Sequence, residues 1–252
     1  MQQQNKAAWE RSPESAWHER FGSPESYAER IKKDPSALLK PIDPFFNEVK
    51  GKKILNLMGS NGNKAVALSL LGASVTVVDF SESNRNYAIP LAEAAGVNIE
   101  YIVSDVLSAK LSCDYDLVFA EMGILHYFED LIPFFTVMKD ALRPGGRALI
   151  RDFHPVSTKL ISSRGSTAKV RKHKVDGDYF DKRLIEKNVA YGKFLEEGEG
   201  EKVYLRLWTL GEIITAAADT GLRVVSLEEA PNLSSDVFDR GIPKTFVLIL
   251  ER

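Results

Sequence analysis

KILNLMGSNGNKAVALSLLGASVTVVD, residues 53 to 79, decides the fold. Ile54 to Leu57 and Val75 to Asp79 are short apolar runs, the pattern of parallel strands buried on both faces, and a helical stretch separates them. The first run leads into Gly59-Ser60-Asn61-Gly62 and the second ends on Asp79. In open α/β sheets, ligands bind beyond the carboxyl ends of the strands, where a turn of small residues lets a cofactor approach the backbone and a helix N-terminus. An acid about 20 positions further on can accept both hydroxyls of an adenosine ribose. A glycine turn alone is equally compatible with a structural role; Asp79 at a strand end favours a nucleotide cofactor.

The alternation continues on both sides of this unit. Further strands are expected at Ile99 to Val103, Leu117 to Phe119 and Arg147 to Arg151, with Gly72 and Gly96 closing the intervening helices. A helix is expected from Leu131 to Leu142, stopped by Pro144-Gly145-Gly146, and Pro90 should kink or shorten the helix that contains it. Upstream, residues 1–50 read as short helices. Ser12-Pro13 and Ser23-Pro24 each place a capping serine before a proline at the first helical position.

Downstream, residues 153–207 lose all period and read as an insertion on the substrate side. Thr209 and Glu212 then form a capping box for a helix closed by Gly221. Strands at Leu222 to Leu227 and Thr245 to Leu250 finish the chain, joined by a loop long enough to make the last one antiparallel. The expected architecture is one α/β domain over residues 1–252. It is a doubly wound, mainly parallel seven-stranded sheet.

The composition bounds the function. A chain of 252 residues with 44% hydrophobic side chains can bury one substantial core. Thirty-three basic against 35 acidic side chains give a net charge of −2, so no global field draws in nucleic acid or an anionic membrane. Cys113 stands alone, which excludes an internal disulfide and a thiolate metal site and suits a reducing cytoplasm. The first residues lack the apolar core of a secretory signal, and no apolar run is long enough to span a bilayer. A cytoplasmic protein, monomeric or homodimeric, is expected.

GKKILNLMGSNGNKAVALSLLGASVTVVDFS, residues 51–81, resembles the nucleotide-binding segment of the class I S-adenosylmethionine-dependent methyltransferases. The resemblance extends to the Asp105 segment, to YDLVFAEMGILHYFED, to LRPGGRALIRDFHP and to WTLGEIITAAADTGL, about four-fifths of the chain. It implies S-adenosylmethionine as cofactor, S-adenosylhomocysteine as product, no metal, and methyl transfer to oxygen or nitrogen of a small molecule. The implied cofactor site comprises Asn56, Gly59, Ser60, Gly62, Asp79, Phe80, Asp105, Val106, Glu121 and Met122. Asp105 would accept from the adenine amino group and Val106 would offer its amide to the ring, although a capping aspartate reads the same way. Where the family carries an acid and then alternate glycines, this chain has Asn56, Met58, Ser60 and Gly62. Only Gly62 matches, and a side chain there would be expected to bar the cofactor.

Bringing a nucleophile to the methyl carbon is mainly a matter of orientation, which can supply about 7 to 11 kcal/mol of the barrier. A hydroxyl or protonated amine also needs a base. His154 and His126, after the fifth and fourth strands, are the candidates, with Glu121 a third. Trp17, Arg20 and Tyr27 in the N-terminal helices and Arg151 at the fifth strand are candidates for the substrate. Arg171, Lys172 and Lys174 join them from a cationic run that would suit an anionic acceptor. Three rivals stay open. A nicotinamide oxidoreductase lacks its G-x-G-x-x-G here, and a base methyltransferase lacks its Asn/Asp-Pro-Pro-aromatic motif. A non-catalytic S-adenosylmethionine-binding protein would account for the altered glycines.

Overall fold

The computed structural model describes residues 5, 7–9, 13–46, 48–164, 172–189, 202–231 and 241–252. Helices α1 (Pro13–Phe21), α2 (Pro24–Lys33) and α3 (Asp43–Phe46) precede the sheet. The alternating core follows as β1 (Lys53–Leu57), α4 (Asn63–Leu70), β2 (Ser74–Asp79), α5 (Glu82–Ala95), β3 (Glu100–Val103), β4 (Tyr115–Glu121), α6 (Ile132–Ala141) and β5 (Leu142–Phe153). Among the described residues of the insertion, β6 (Ile161–Arg164) pairs antiparallel with β7 (Lys172–Val175) and β8 (Leu184–Asn188) pairs antiparallel with β9 (Lys202–Arg206). The chain closes with α7 (Leu210–Asp219), β10 (Arg223–Pro231) and β11 (Pro243–Glu251).

The seven-stranded sheet runs β10-β11-β5-β4-β1-β2-β3. Strands β1 to β5 are parallel, and β11 lies antiparallel to both β5 and β10. This is the doubly wound sheet with an antiparallel last strand that the sequence pattern implies. Order reverses at β1, between β4 and β2, so the carboxyl ends of these three strands border the crevice where such sheets take ligands.

Side-chain alternation along each strand divides the core into two layers. Ile54, Val77, Phe119 and Leu149 pack on one face with Trp17, Ile31, Val66 and Tyr87 of the helices. Leu55, Val78, Val118 and Ile150 pack on the other with Phe134, Phe135, Met138 and Ala217. Ser23 caps α2 by accepting from the Ser26 amide, and the Thr209–Glu212 capping box opens α7. Ser12 lies outside the described residues.

Pro90 does not shorten its helix and Pro144-Gly145-Gly146 is not a loop, each for an identifiable reason. Helix α5 runs through Pro90 to Ala95. The carbonyl that loses its partner belongs to the exposed Asn86, where water can supply the missing bond. Pro144-Gly145-Gly146 lies inside β5, which begins at Leu142, five residues before the expected start. The register against β4 shifts there, and a Cβ on Gly146 would come within 3.0 Å of the Tyr115 carbonyl. The glycine thus marks a bulge.

Candidate cofactor site

The turn between β1 and α4 takes the left-handed backbone at alternate positions, with φ of 51° at Met58, 50° at Ser60 and 71° at Gly62. The three positions where the family would place glycine keep a glycine-like conformation although two carry side chains. A non-glycine residue held there costs on the order of 1 kcal/mol. Gly59 is fixed differently, since a Cβ there would sit 2.6 Å from Asn56 Oδ1 and 2.7 Å from Val77 Cγ1. Gly62 turns its missing Cβ away from the site, towards Ala88 at 2.9 Å. The expectation that it keeps a path open for the cofactor is therefore corrected; its space belongs to α5.

Ser60→Gly should raise stability by about 1 kcal/mol and the melting temperature by about 2 to 4 °C, with ligand binding retained. Thermal unfolding checks this. A lower melting temperature would mean that the serine side chain supports the turn.

The backbone of the turn is tied to the second strand. Ser60 N donates to Asp79 Oδ2 at 2.9 Å, and Tyr101 Oη donates to the Ser60 carbonyl at 2.7 Å. Asp79 Oδ1 accepts from Ser81 N at 3.0 Å and from Asn84 Nδ2 at 3.1 Å. Burial pushes the Asp79 carboxyl up from the ordinary range, while the donors on Ser81, Asn84 and Ser60 hold it back. Asn84 Oδ1 in turn accepts from Trp17 Nε1 at 2.8 Å, which fastens α1 over the strand ends.

Asp79 opens onto a cavity of about 220 Å³ whose walls include Trp17, Arg20, Met58, Ser60 and Phe80. A second cavity of about 280 Å³ shares Trp17, Arg20, Met58, Ser60, Glu121 and Met122 with it and continues towards Asn56, Asn61 and Lys64. The two make one cleft at the carboxyl ends of β1, β2 and β4. Trp9 and Tyr127, joined by a 3.1 Å hydrogen bond from indole to phenol, line its far wall. Burial lifts the Tyr127 phenol to about 12. Glu121, at the end of β4, makes ion pairs with Lys64 and, at 3.7 Å, with Arg151.

Asp152, which the sequence reading passed over, builds the β4 side of the cleft. Its buried carboxylate accepts from the amides of Gly123, Ile124, Leu125 and Phe153 at 2.7 to 3.0 Å. These bonds fix the loop after β4, where Met122 has a φ of 62°. Asp152, Asn84, Lys64, Trp9 and Tyr127 are the additional site residues. Asp152 carried the same signal as Asp79, an acid at the end of a strand.

Other candidates stand elsewhere. Asp105 Oδ1 accepts from the Leu107 amide at 2.9 Å, a local turn, and Val106 is buried in the second core layer; neither lines the cleft. Tyr27 is stacked on Phe21 with ring centres 4.5 Å apart, and its hydroxyl accepts from Asn63 Nδ2. Arg151 reaches the cleft only through Glu121 and otherwise faces a separate cavity beside β11. Arg171 lies outside the described residues, Lys172 is placed by its backbone in β7, and Lys174 is exposed on that strand.

Neither histidine lines the cleft. His154 is 3% exposed; its Nδ1 accepts from the Val156 amide and its Nε2 lies 2.6 Å from Glu229. Burial lowers its pKa, with Glu229 opposing. His126 faces Asp152 and Pro155 across a small void, and burial lowers its pKa against the pull of Asp152. Their position after the strand ends is as expected, but both rings turn from the place a base would need. His154→Ala should cost about 2 kcal/mol of stability and leave cofactor affinity within twofold. A tenfold loss of affinity in calorimetry would return the ring to the site.

Among the described residues no cluster of His, Cys, Asp and Glu is placed to hold a metal ion, and no helix is long and apolar enough to cross a membrane.

Residues 54–146, which carry the turn, Asp79 and β4, match the family described as a methyltransferase domain. The fold is that of the class I methyltransferases. Over 86% of this chain it superposes on 98% of an S-adenosylmethionine-dependent methyltransferase from Mesorhizobium loti, with a TM-score of 0.65 and 23% identity. A glycopeptide N-methyltransferase, MtfA, solved with S-adenosyl-L-homocysteine, matches 86% of the chain and 90% of its own with a TM-score of 0.57 and 12% identity. In sequence, the chain is 26% identical over 124 residues to a ubiquinone biosynthesis O-methyltransferase of Rickettsia canadensis, covering 49% of this chain and 52% of that one. The chain spans about half the length of such curated relatives.

Proposed function

We propose that this protein is an S-adenosylmethionine-dependent methyltransferase acting on oxygen or nitrogen of a small molecule. The observation that carries this reading is the left-handed turn whose Ser60 amide is bonded to Asp79 at the edge of a roofed cleft. The donor set fits the group. Asp79 Oδ2 has one described partner and room for a further donor such as a ribose hydroxyl. Phe80 and Met58 offer flat and polarisable surface to a purine, and Glu121 offers an anion to a cationic head. Asp105 and Val106 would take part in adenine binding only if their turn shifts towards the cleft.

Bound S-adenosylmethionine supplies a methyl group already activated on a positively charged sulfur. The chain's own residues have the tasks of holding and drying that centre. Trp17 and Arg20 cover it from α1, Asp79 and Asn84 fasten that cover to the sheet, and Asp152 sets the opposite wall. No histidine lines either half of the cleft among the described residues. Of the three candidate bases only Glu121 lines the cleft, so an acceptor that must lose a proton would have Glu121 to take it, and one that reacts through orientation alone needs no base.

Residues 1–50 serve as the lid and residues 153–207 as the substrate-side wall in this reading, with a small and anionic acceptor suited to the basic insertion. Incubating the protein with methyl-labelled S-adenosylmethionine and cell extract, followed by mass spectrometry, tests it. Label should appear in a small molecule. Label confined to protein or nucleic acid, or absent beyond the no-protein control, would overturn the assignment.

A further inference from the structure

A cavity of about 760 Å³ opens beside β5, between α3 and the antiparallel pair of β10 and β11. That volume is in the range of small-molecule sites. Phe45 and Val247 give it apolar walls, and Lys40, Lys244 and Arg151 bring cationic side chains to it. Arg151 is only 18% exposed, and its one ion pair among the described residues, to Glu121 at 3.7 Å, is too long for a hydrogen bond. Among those residues its guanidinium has no hydrogen-bond acceptor, so the donor fork stands unused at the cavity wall. Burial works against its charge, with Asp152 opposing. A guanidinium drawn so far out of water and left without acceptors is costly, and an entering anion would remove that cost.

Strand register ties this cavity to the cofactor cleft. Arg151 pairs with Val247 on one side and with Glu121 on the other, and Glu121 lines the cleft. A molecule held by Arg151 is therefore a neighbour of whatever the cleft holds. Resting on the methyltransferase reading above, we propose that this cavity is the pocket for the methyl acceptor, and that the acceptor is a small organic acid whose carboxylate is bound by Arg151. The planar guanidinium fork matches a carboxylate in a bidentate pair, which fixes orientation as well as position. Orientation is the main demand of methyl transfer. Phe45 and Val247 would take the acid's apolar body, and Lys40 and Lys244 would draw in its charge. The lining carboxylates leave Arg151 free for this task. Glu229 lies 2.6 Å from His154, and Glu228 is in register with Val247, two strands from Arg151 and so about 10 Å away in backbone spacing.

The experiment uses benzoate as the probe and benzamide as its uncharged counterpart, in calorimetry on the whole chain with and without S-adenosylhomocysteine. Benzoate should occupy one saturable site, with benzamide about tenfold weaker or more. Arg151→Gln should weaken benzoate by a similar factor. Thr245→Trp, which fills the cavity from β11 and leaves the guanidinium in place, should do the same while S-adenosylhomocysteine binds as before. Saturating benzoate should also suppress transfer of labelled methyl to the small molecules of a cell extract. No saturable benzoate site, equal binding of benzamide, or unchanged benzoate affinity in both variants would overturn the proposal. So would methyl transfer that benzoate leaves untouched, since the cavity would then hold an anion other than the acceptor. Failure of the wild type to bind S-adenosylhomocysteine would instead remove the methyltransferase reading, and benzoate binding measured without it tells the two failures apart.

Discussion

Asp79→Ala should lower affinity for S-adenosylmethionine ten- to a hundredfold and destabilise the fold by about 3 kcal/mol or more. The binding loss follows from charge-assisted hydrogen bonds to the ribose, worth about 1.5 to 3 kcal/mol. The folding loss follows from three donors left without an acceptor, on Ser60, Ser81 and Asn84. Each stranded buried donor costs about 1 to 3 kcal/mol, less what water recovers at the cleft edge. Asp79→Asn separates the two effects, because the amide keeps one acceptor oxygen. It should hold most of the stability while still losing affinity. Thermal unfolding and calorimetry of both variants check this. Full affinity in folded Asp79→Ala would place the ribose elsewhere.

Gly62→Val should be the most damaging single change in the turn, through folding rather than through an obstructed cleft. The site has a φ of 71° and an implied Cβ 2.9 Å from Ala88 Cβ and 3.4 Å from Ile99 Cδ1. A β-branched side chain adds two methyl groups to a space that does not hold one, on a backbone it strongly disfavours. A loss of about 3 kcal/mol or more is expected, from overpacking of about 1 to 3 and backbone strain of similar size. Gly62→Ala should lose less. Ala88→Gly should partly rescue Gly62→Val in melting temperature, since it removes the atom that the valine meets. An unchanged melting temperature of the unliganded Gly62→Val protein, with cofactor affinity lost instead, would return Gly62 to the cleft.

The sheet was legible because parallel strands buried on both faces must be written as short apolar runs. Ile54 to Leu57 and Val75 to Asp79 have no other reading once a glycine turn and a helix separate them. The capping serine of α2 and the Thr209–Glu212 box were legible for the same reason: a helix end needs specific partners for its amides. β8 carried no period because it is largely exposed, whereas β9 buries alternate residues, Val203 and Leu205, a short alternation that the sequence reading did not pick out. The bulge at Pro144-Gly145-Gly146 looked like a loop because bulges and turns draw on the same residues.

For the site, sequence position gave the strand end but not the direction of the side chain. Asp79 and Glu121 point into the cleft, while His154 and His126 are turned aside. The alternate-glycine geometry survived at Met58 and Ser60 because the surrounding bonds impose it, chiefly those of Ser60 to Asp79 and Tyr101. Residue identity alone pointed the other way. Lys64 was overlooked because its partner Glu121 lies on β4, 57 positions later, a distance that pattern reading does not cross.

Calorimetric titration of the purified wild-type chain with S-adenosylhomocysteine, beside a titration with NAD, tests the central claim most directly. One saturable site for S-adenosylhomocysteine and no heat of binding for NAD is the expected result. No binding of S-adenosylhomocysteine by folded protein, or saturable binding of NAD in its place, would contradict it.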